Sequence, residues 1–299
     1  MGRRLVILLG PTAAGKTGCS IGLALKYGSP VISCDSRQIY KEMRIGTAVP
    51  DASQLSAVKH YFIQDHTIHH PYTAGRYEIE AIELITRLFA EGHETLVMCG
   101  GSGFYIDAVC NGLDDFPPAD PQLREELMQR LKSEGVESLR LELKALDPES
   151  YATVDIANGQ RVVRALEVCL MTGRKFSSFK TAPKKQRDFE VVKLGLSRPR
   201  EELYSRIDSR VLAMMDEGLL KEAEGLYECR KLPALQTVGY RELFDYMDGQ
   251  TSLEKAVELI QRNTRHYAKR QLTWWGRDCS IRWMDEKEMA AFIEDSHQF

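Results

Sequence analysis

The chain has 299 residues, 43% of them hydrophobic and 28% charged, with a formal net charge of −3. This composition suits a globular protein with a full core and room for a second lobe. It excludes a membrane span, because no stretch approaches the roughly 18 apolar residues one needs. The small negative charge gives no global pull on nucleic acid, so any such binding must come from local basic clusters.

The N-terminus MGRRLVILLG is basic and then apolar, as a secretory leader would be. Its apolar run is only five residues long and leads straight into GPTAAGKT, so it reads as a first β-strand. Residues Gly10, Pro11, Thr12, Ala13, Ala14, Gly15, Lys16 and Thr17 match G-x-x-x-x-G-K-[ST] completely, between a strand and a helix-like run. In such a loop the backbone N–H groups and the helix N-terminus cradle a pyrophosphate. Lys16 neutralises it and the Thr17 hydroxyl can hold Mg²⁺. Most loops of this kind hold ATP or GTP; the motif identifies a polyphosphate and not its owner.

Three further apolar runs read as buried strands, each ending in a polar or glycine-rich stretch: Val31–Cys34 into DSRQIY, Leu96–Cys99 into GGSGFY, and Val191–Leu196 into SRPR. Helical patterns separate them, which predicts an α/β fold with a P-loop NTPase-like parallel sheet flanked by helices. Ligands gather at the carboxyl ends of such strands, so the four polar stretches should share one crevice. Asp35, at the second strand end, can be a Mg²⁺ ligand, a general base or a cap on the next helix, and its position alone does not choose. GGSGFY is either a tight turn opening a helix or a patch of backbone, hydroxyl and ring offered to a ligand. The histidines of HTIHH have no carboxylate at ligand spacing and read as loop residues.

From Phe116 to about Lys180 the pattern changes to helices without strands, predicting an inserted all-helical lobe. Asp120 is placed as an N-cap, Pro121 stands at the first helical position, and Leu123, Leu127 and Leu131 form one stripe. LDPES repeats the Asp-Pro start. The expected division is 1–115 for the first part of the sheet domain, 116–182 for the lobe and 183–299 for completion of the domain. Arg161 and Arg164 share a helical face, as do Arg206 and Arg210, and either pair can be a solvated basic face or a phosphate clamp. Everything after Arg200 reads as helix. Within it, Arg262 to Arg277 holds five Lys/Arg and no acid; Arg262, His266, Lys269 and Arg270 fall near one face, followed by Trp274 and Trp275. Basic side chains beside aromatics suit an RNA backbone and unstacked bases. The seven cysteines are scattered without a C-x-x-C pair, which argues against a disulfide framework or a zinc module and for a reduced, cytoplasmic protein.

Taken together, GPTAAGKT, DSRQIY, IGTA, GGSGFY, PADPQLR, QRVVRALE, RVLAMMDEGLLKEA, TVGYRE and AKRQLTWW resemble one family, the tRNA dimethylallyltransferases, in family order from Gly10 to Trp275. The resemblance implies that the loop grips the diphosphate of dimethylallyl diphosphate and that the prenyl group goes to N6 of adenosine 37, flipped out of the tRNA anticodon loop. It further implies Asp35 as the base that takes the N6 proton, with Thr12, Lys16 and Thr17 binding the diphosphate and its Mg²⁺, and Arg206 and Arg210 beside them. The stretches matched to tRNA contacts are Asp35, Ser36, Arg37 and Gln38; Ser102 and Tyr105; Arg124; Gln160, Arg161, Val162, Val163 and Arg164; Gln236, Gly239, Tyr240 and Arg241; and Lys269, Arg270, Gln271, Thr273 and Trp274. The expected partners are the anticodon stem-loop and the allylic diphosphate, with no membrane and a monomeric enzyme.

The chain departs from the family pattern at Val49, where a Lys is usual, at Arg277, displaced by Trp275-Gly276, and in HYFIQDHTIHHPYTAGRYE. The Cys/His spacing of the eukaryotic zinc finger is missing, so the resemblance is to the bacterial form. Three other readings fit part of the pattern: a nucleoside or nucleotide kinase, which has no use for a basic, Trp-bearing helix; a prenyltransferase acting on free AMP; and a non-catalytic RNA-binding protein, which would leave GPTAAGKT unexplained.

Overall fold

The computed structural model describes residues 2–180 and 185–295. They form two compact units: a sheet unit that runs to Cys110 and resumes at Arg187, and a helical unit, Asn111–Gln186. The boundary expected at 182/183 lies outside the described residues.

The sheet unit is built on β1 (Arg4–Leu9), β2 (Val31–Ser33), β3 (His60–Tyr61), β4 (Thr95–Gly100), β5 (Glu190–Leu196) and β6 (Ile281–Met284). All neighbours pair parallel, in the order β3-β2-β4-β1-β5-β6. Residues Leu5 to Leu9 are completely buried, as expected for a central parallel strand covered on both faces. Val6 and Leu8 pack with Leu23, Met289 and Phe292 on one side. Leu5, Ile7 and Leu9 face a larger core that includes Tyr77, Ile85, Tyr105 and Tyr240. Leu9 pairs with Gly100 on one side and Gly195 on the other, so the three central strands end level and their following loops leave along one edge.

The expected four strands are there, and β3 and β6 are additional. The stretch after Arg200 is therefore not all helix. β3 is two residues long, and β6 (IRWM) buries only its end residues, so neither presents the continuous apolar run that marks an inner strand.

GGSGFY does more than turn the chain. A Cβ at Gly101 would lie 2.3 Å from the Gln271 amide, and one at Gly103 would lie 2.5 Å from the Trp274 ring. Both distances are below any real contact, so these glycines let the start of the Gly103–Asn111 helix close on the Leu253–Trp275 helix. Gln271 fills the seam, accepting from Thr12 N–H and donating to Gly101 C=O. Trp274 Nε1–H donates to Asp107 at 3.0 Å.

The helical unit contains the helices Pro121–Glu134, Val136–Leu146, Pro148–Thr153 and Gly159–Thr172. Asp120 caps the first through Gln122 and Leu123 N–H. Leu127, Leu139, Leu143, Val162, Val163 and Leu166 make its core. Asp147, wholly buried, accepts from Ser150 N–H at 3.1 Å, Ser177 N–H at 2.7 Å and Ser177 Oγ–H at 2.9 Å. Burial alone would push its carboxyl up, but these hydrogen bonds outweigh it and hold the pKa at about 2. A folded pKa below the unfolded one stabilises above the unfolded value and is lost as pH falls through the folded one. Asp147→Asn should therefore cost on the order of 2 kcal/mol at neutral pH. The gap between variant and wild type should narrow as pH drops from about 4 to about 2, measured by denaturant unfolding at each pH. A gap independent of pH would contradict this reading.

Candidate active site

The phosphate loop enters the helix Lys16–Tyr27 through Gly15, whose φ of 102° is a backbone state that favours glycine, and no side chain caps the helix. Its first-turn N–H groups are left for an anion. Two arginines hold the loop from outside. Arg198 Nε–H donates to Ala14 C=O at 2.6 Å and Arg206 Nε–H to Ala13 C=O at 2.9 Å. Lys16 Nζ donates to Pro11 C=O at 2.8 Å, and the Thr17 side chain makes no hydrogen bond among the described residues.

A cavity of about 680 Å³ opens on this loop, bounded by Lys16, Thr17, Asp35, Gly101, Arg206 and Arg210, with Val49 on its wall. Burial holds the Lys16 ammonium below its usual range, and the Arg210 charge pulls the same way while Asp35 opposes it. Burial also lowers Arg210, whose guanidinium makes no hydrogen bond among the described residues, with Asp35 again opposing. The cavity is lined by the cationic Lys16, Arg44, Arg206 and Arg210 and by the carboxylates Asp35, Asp51 and Glu217, with Lys16 and Arg210 both held down by burial. Such a site gains by taking in a multiply charged anion.

Asp35 sits just past β2. Its Oδ1 accepts from Arg37 N–H at 2.8 Å and Gln38 N–H at 3.2 Å, while Oδ2 has no partner among the described residues. Two of the roles open in the sequence are thus compatible: one oxygen fixes the turn and the other is free for a proton or a cation. The turn is locked by its neighbours. Ser36 N–H donates to Ser102 Oγ at 3.0 Å, and Gln38 Nε2–H₂ reaches Thr47 and Ala48 C=O. DSRQ, GGSGFY and IGTA are one hydrogen-bonded assembly.

A second cavity, of about 340 Å³, adjoins the first. The two share Thr12, Ala13, Asp35, Thr47, Arg210, Met214 and Tyr267. Beyond that wall the second is lined by apolar Ile207, Val211, Leu219, Val238 and Ile260, and by polar Gln236, Thr237, Arg241 and Arg270. One chamber thus suits an anion, the other a flat or apolar group, and they meet at Asp35 and Arg210.

Several residues matched to tRNA contacts have other engagements. Tyr240 is buried, its hydroxyl donating to Glu222 at 2.6 Å. Tyr105 is stacked on Tyr77 with ring centres 4.3 Å apart. Val162 and Val163 are core of the helical unit, leaving any RNA contact of that stretch to its polar members. Arg124 and Arg164 both bind the wholly buried Glu167, at 2.6 and 3.0 Å; an ion pair of this kind organises the lobe, since removing one partner strands a buried charge. Gln271 belongs to the seam described above, and Trp275 is core. Gln160, Arg161, Gln236, Arg241, Lys269, Arg270, Thr273 and Trp274 are exposed or partly so. Gly239 lines the second cavity.

Two residues escaped the sequence reading. Glu222 accepts from the successive N–H groups of Arg44, Ile45 and Gly46 at 2.8–3.0 Å and from Tyr240, tying IGTA to TVGYRE. Tyr267 stands on the wall between the cavities, its hydroxyl held protonated by burial. Among the described residues no group of three His, Cys, Asp or Glu is placed to hold a metal, and no helix is long and apolar enough to cross a membrane.

The sequence profile of the IPP transferase family matches residues 38–278. A tRNA dimethylallyltransferase of Porphyromonas gingivalis is 50% identical over 93% of this chain and 93% of its own. One from Bacteroides fragilis is 45% identical over 98% of both. Among solved structures, the tRNA isopentenylpyrophosphate transferase of Bacillus halodurans superposes with a TM-score of 0.71 at 35% identity, covering 97% of this chain and 94% of that one. A eukaryotic dimethylallyltransferase acting on tRNA superposes with a TM-score of 0.80 at 26% identity, covering 95% and 74%.

Proposed function

The chain belongs to the IPP transferase family, and from that premise we propose how the two cavities carry out prenyl transfer from dimethylallyl diphosphate to N6 of adenosine 37 in tRNA. It is a tRNA-modifying prenyltransferase. In our reading the larger cavity takes the diphosphate on Gly10–Thr17, with Lys16, Arg206 and Arg210 against its oxygens. The smaller cavity receives the flipped adenine. The observation that carries this is the shared wall: Asp35, with Oδ2 unbonded, and Arg210 stand where donor and acceptor chambers meet.

An exocyclic adenine amine is a poor nucleophile because its lone pair is delocalised into the ring. Rate must therefore come from alignment and from stabilising the leaving group. The C–N bond forms as the allylic C–O bond breaks and the diphosphate departs with the electron pair onto Lys16 and the arginines. Asp35 takes the proton from N6 as that nitrogen becomes positive. Oxygen donors fit Mg²⁺, which uses one or two protein ligands and substrate phosphates rather than a protein cage; Thr17 would hold it, and it would add charge neutralisation at the leaving oxygens. We take the enzyme to work as a cytoplasmic monomer.

On the RNA side, exposed Lys269 and Arg270 are assigned to the phosphate backbone and Trp274 to an unstacked base, with Gln160 and Arg161 a second hold. Changing both Lys269 and Arg270 to Ala should weaken tRNA binding and flatten the log K against log salt plot by about two phosphates' worth of slope, leaving diphosphate binding unchanged. An unaltered slope would mean this face is merely solvated. In a transfer assay with dimethylallyl diphosphate, tRNA should outcompete AMP as acceptor; preference for AMP would reassign the enzyme to free nucleotides.

A further inference from the structure

On the reading of the two cavities just given, we propose that Met214 is the residue that sets the length of the prenyl chain accepted. The helix Arg200–Asp216 carries Ile207, Arg210, Val211 and Met214 on one face, at spacings of three and four. Its arginines run along the phosphate cavity: Arg206 is bonded to the loop itself, Arg210 comes one turn on, and Met214 a turn further. Arg206, Arg210 and Met214 all line that cavity. One helical turn rises about 5.4 Å, close to the reach of a five-carbon allyl group from its bridging oxygen. A donor with its diphosphate on Lys16, Arg206 and Arg210 and its first carbon at the shared wall therefore meets Met214 at the end of its chain.

The surroundings suit that role. Met214 is half-buried, and on its far side the fully buried Leu219 and nearly buried Val211 line the smaller cavity that Met214 also borders, so a chain that passes Met214 meets apolar side chains. Met214 is the long, unbranched apolar member of the wall that both cavities share, beside the small Ala13 and with Thr12, Asp35, Thr47, Arg210 and Tyr267. A flexible thioether closes an irregular gap without a fixed shape, and its removal opens room by three heavy atoms without touching a charge. The same wall could instead pack the adenine. The two cases differ in which substrate notices the change.

The test is steady-state transfer to tRNA with dimethylallyl and geranyl diphosphate as donors, for wild type, Met214→Ala and Met214→Leu. A methylene in an apolar pocket is worth roughly 10–200-fold in discrimination. Met214→Ala should raise the ratio of geranyl to dimethylallyl kcat/KM by at least about 10-fold, and Met214→Leu should leave it within a few-fold of wild type. The proposal is overturned if the ratio is unchanged while KM for tRNA rises, which would put the adenine against Met214, or if both donors lose activity equally. Wild-type transfer from dimethylallyl diphosphate is the internal control: its absence would count against the cavity reading itself and not against Met214 alone.

Discussion

Asp35→Asn is expected to lower single-turnover prenyl transfer by about 10² to 10⁴, the range of a general base, with little change in the binding of tRNA or diphosphate. The geometry makes the substitution unusually clean. Oδ1 of Asp35 accepts the Arg37 and Gln38 amides, and an Asn oxygen can keep both bonds, so the turn should survive. Only the second oxygen, unbonded among the described residues, loses its capacity to take a proton. Were Asp35 nothing but the cap of this turn, the loss would be about 1 kcal/mol of stability or less with turnover intact. Were it a metal ligand, excess Mg²⁺ would restore much of the rate. A Mg²⁺ titration of the single-turnover rate, beside a melting curve, separates the three, and only a Mg²⁺-independent loss agrees with the base.

The second large effect is expected at Lys16. Lys16→Gln should reduce kcat/KM for the allylic diphosphate by about 10² to 10³, comparable to deleting one preorganised donor from a developing anion. Burial already holds this ammonium below its usual range. An incoming diphosphate reverses that penalty, so the charge interacts more strongly with bound donor and leaving group than with the empty cavity. Because Lys16 also bonds Pro11 C=O, the variant should be checked by melting. A loop that merely loosened would lose stability and activity together. The predicted variant keeps tRNA affinity and near-normal stability while donor KM rises and kcat falls. Equal affinity for the donor in variant and wild type would contradict the assignment.

What could be read in the chain without a structure was whatever is encoded locally. The run LVILL followed by GPTAAGKT specifies strand, loop and helix within a dozen residues, and Asp120-Pro121 announces a helix start by its own chemistry. Arg206 and Arg210 were visible because four-residue spacing places them on one face. The rest depends on partners far along the chain. Gln271 has no local signal, since its purpose is to join Thr12 to Gly101, and Glu222 serves the amides of a loop more than 170 residues away. Glu167 sits in a helix that reads as amphipathic and basic, so the sequence does not show that Arg124 and Arg164 converge on this one buried carboxylate. β6 was missed for a related reason: an edge strand of four residues with an exposed Arg282 carries too little pattern to stand out among helices. Met214 carries no signal of its own in the sequence, because a wall shared by two cavities exists only once the helix is laid against the loop.

The central claim is that this phosphate loop serves an allylic diphosphate whose carbon chain goes to adenine N6 of a tRNA. It is tested most directly by incubating the protein with Mg²⁺, unmodified tRNA and dimethylallyl diphosphate labelled in the prenyl group, with ATP added as competitor, and digesting the RNA to nucleosides. The predicted result is one label per tRNA, recovered as N6-dimethylallyladenosine from the anticodon loop at position 37, with ATP a poor inhibitor. Label absent from the RNA, or transfer abolished by ATP at concentrations that displace the donor from the loop, would contradict it.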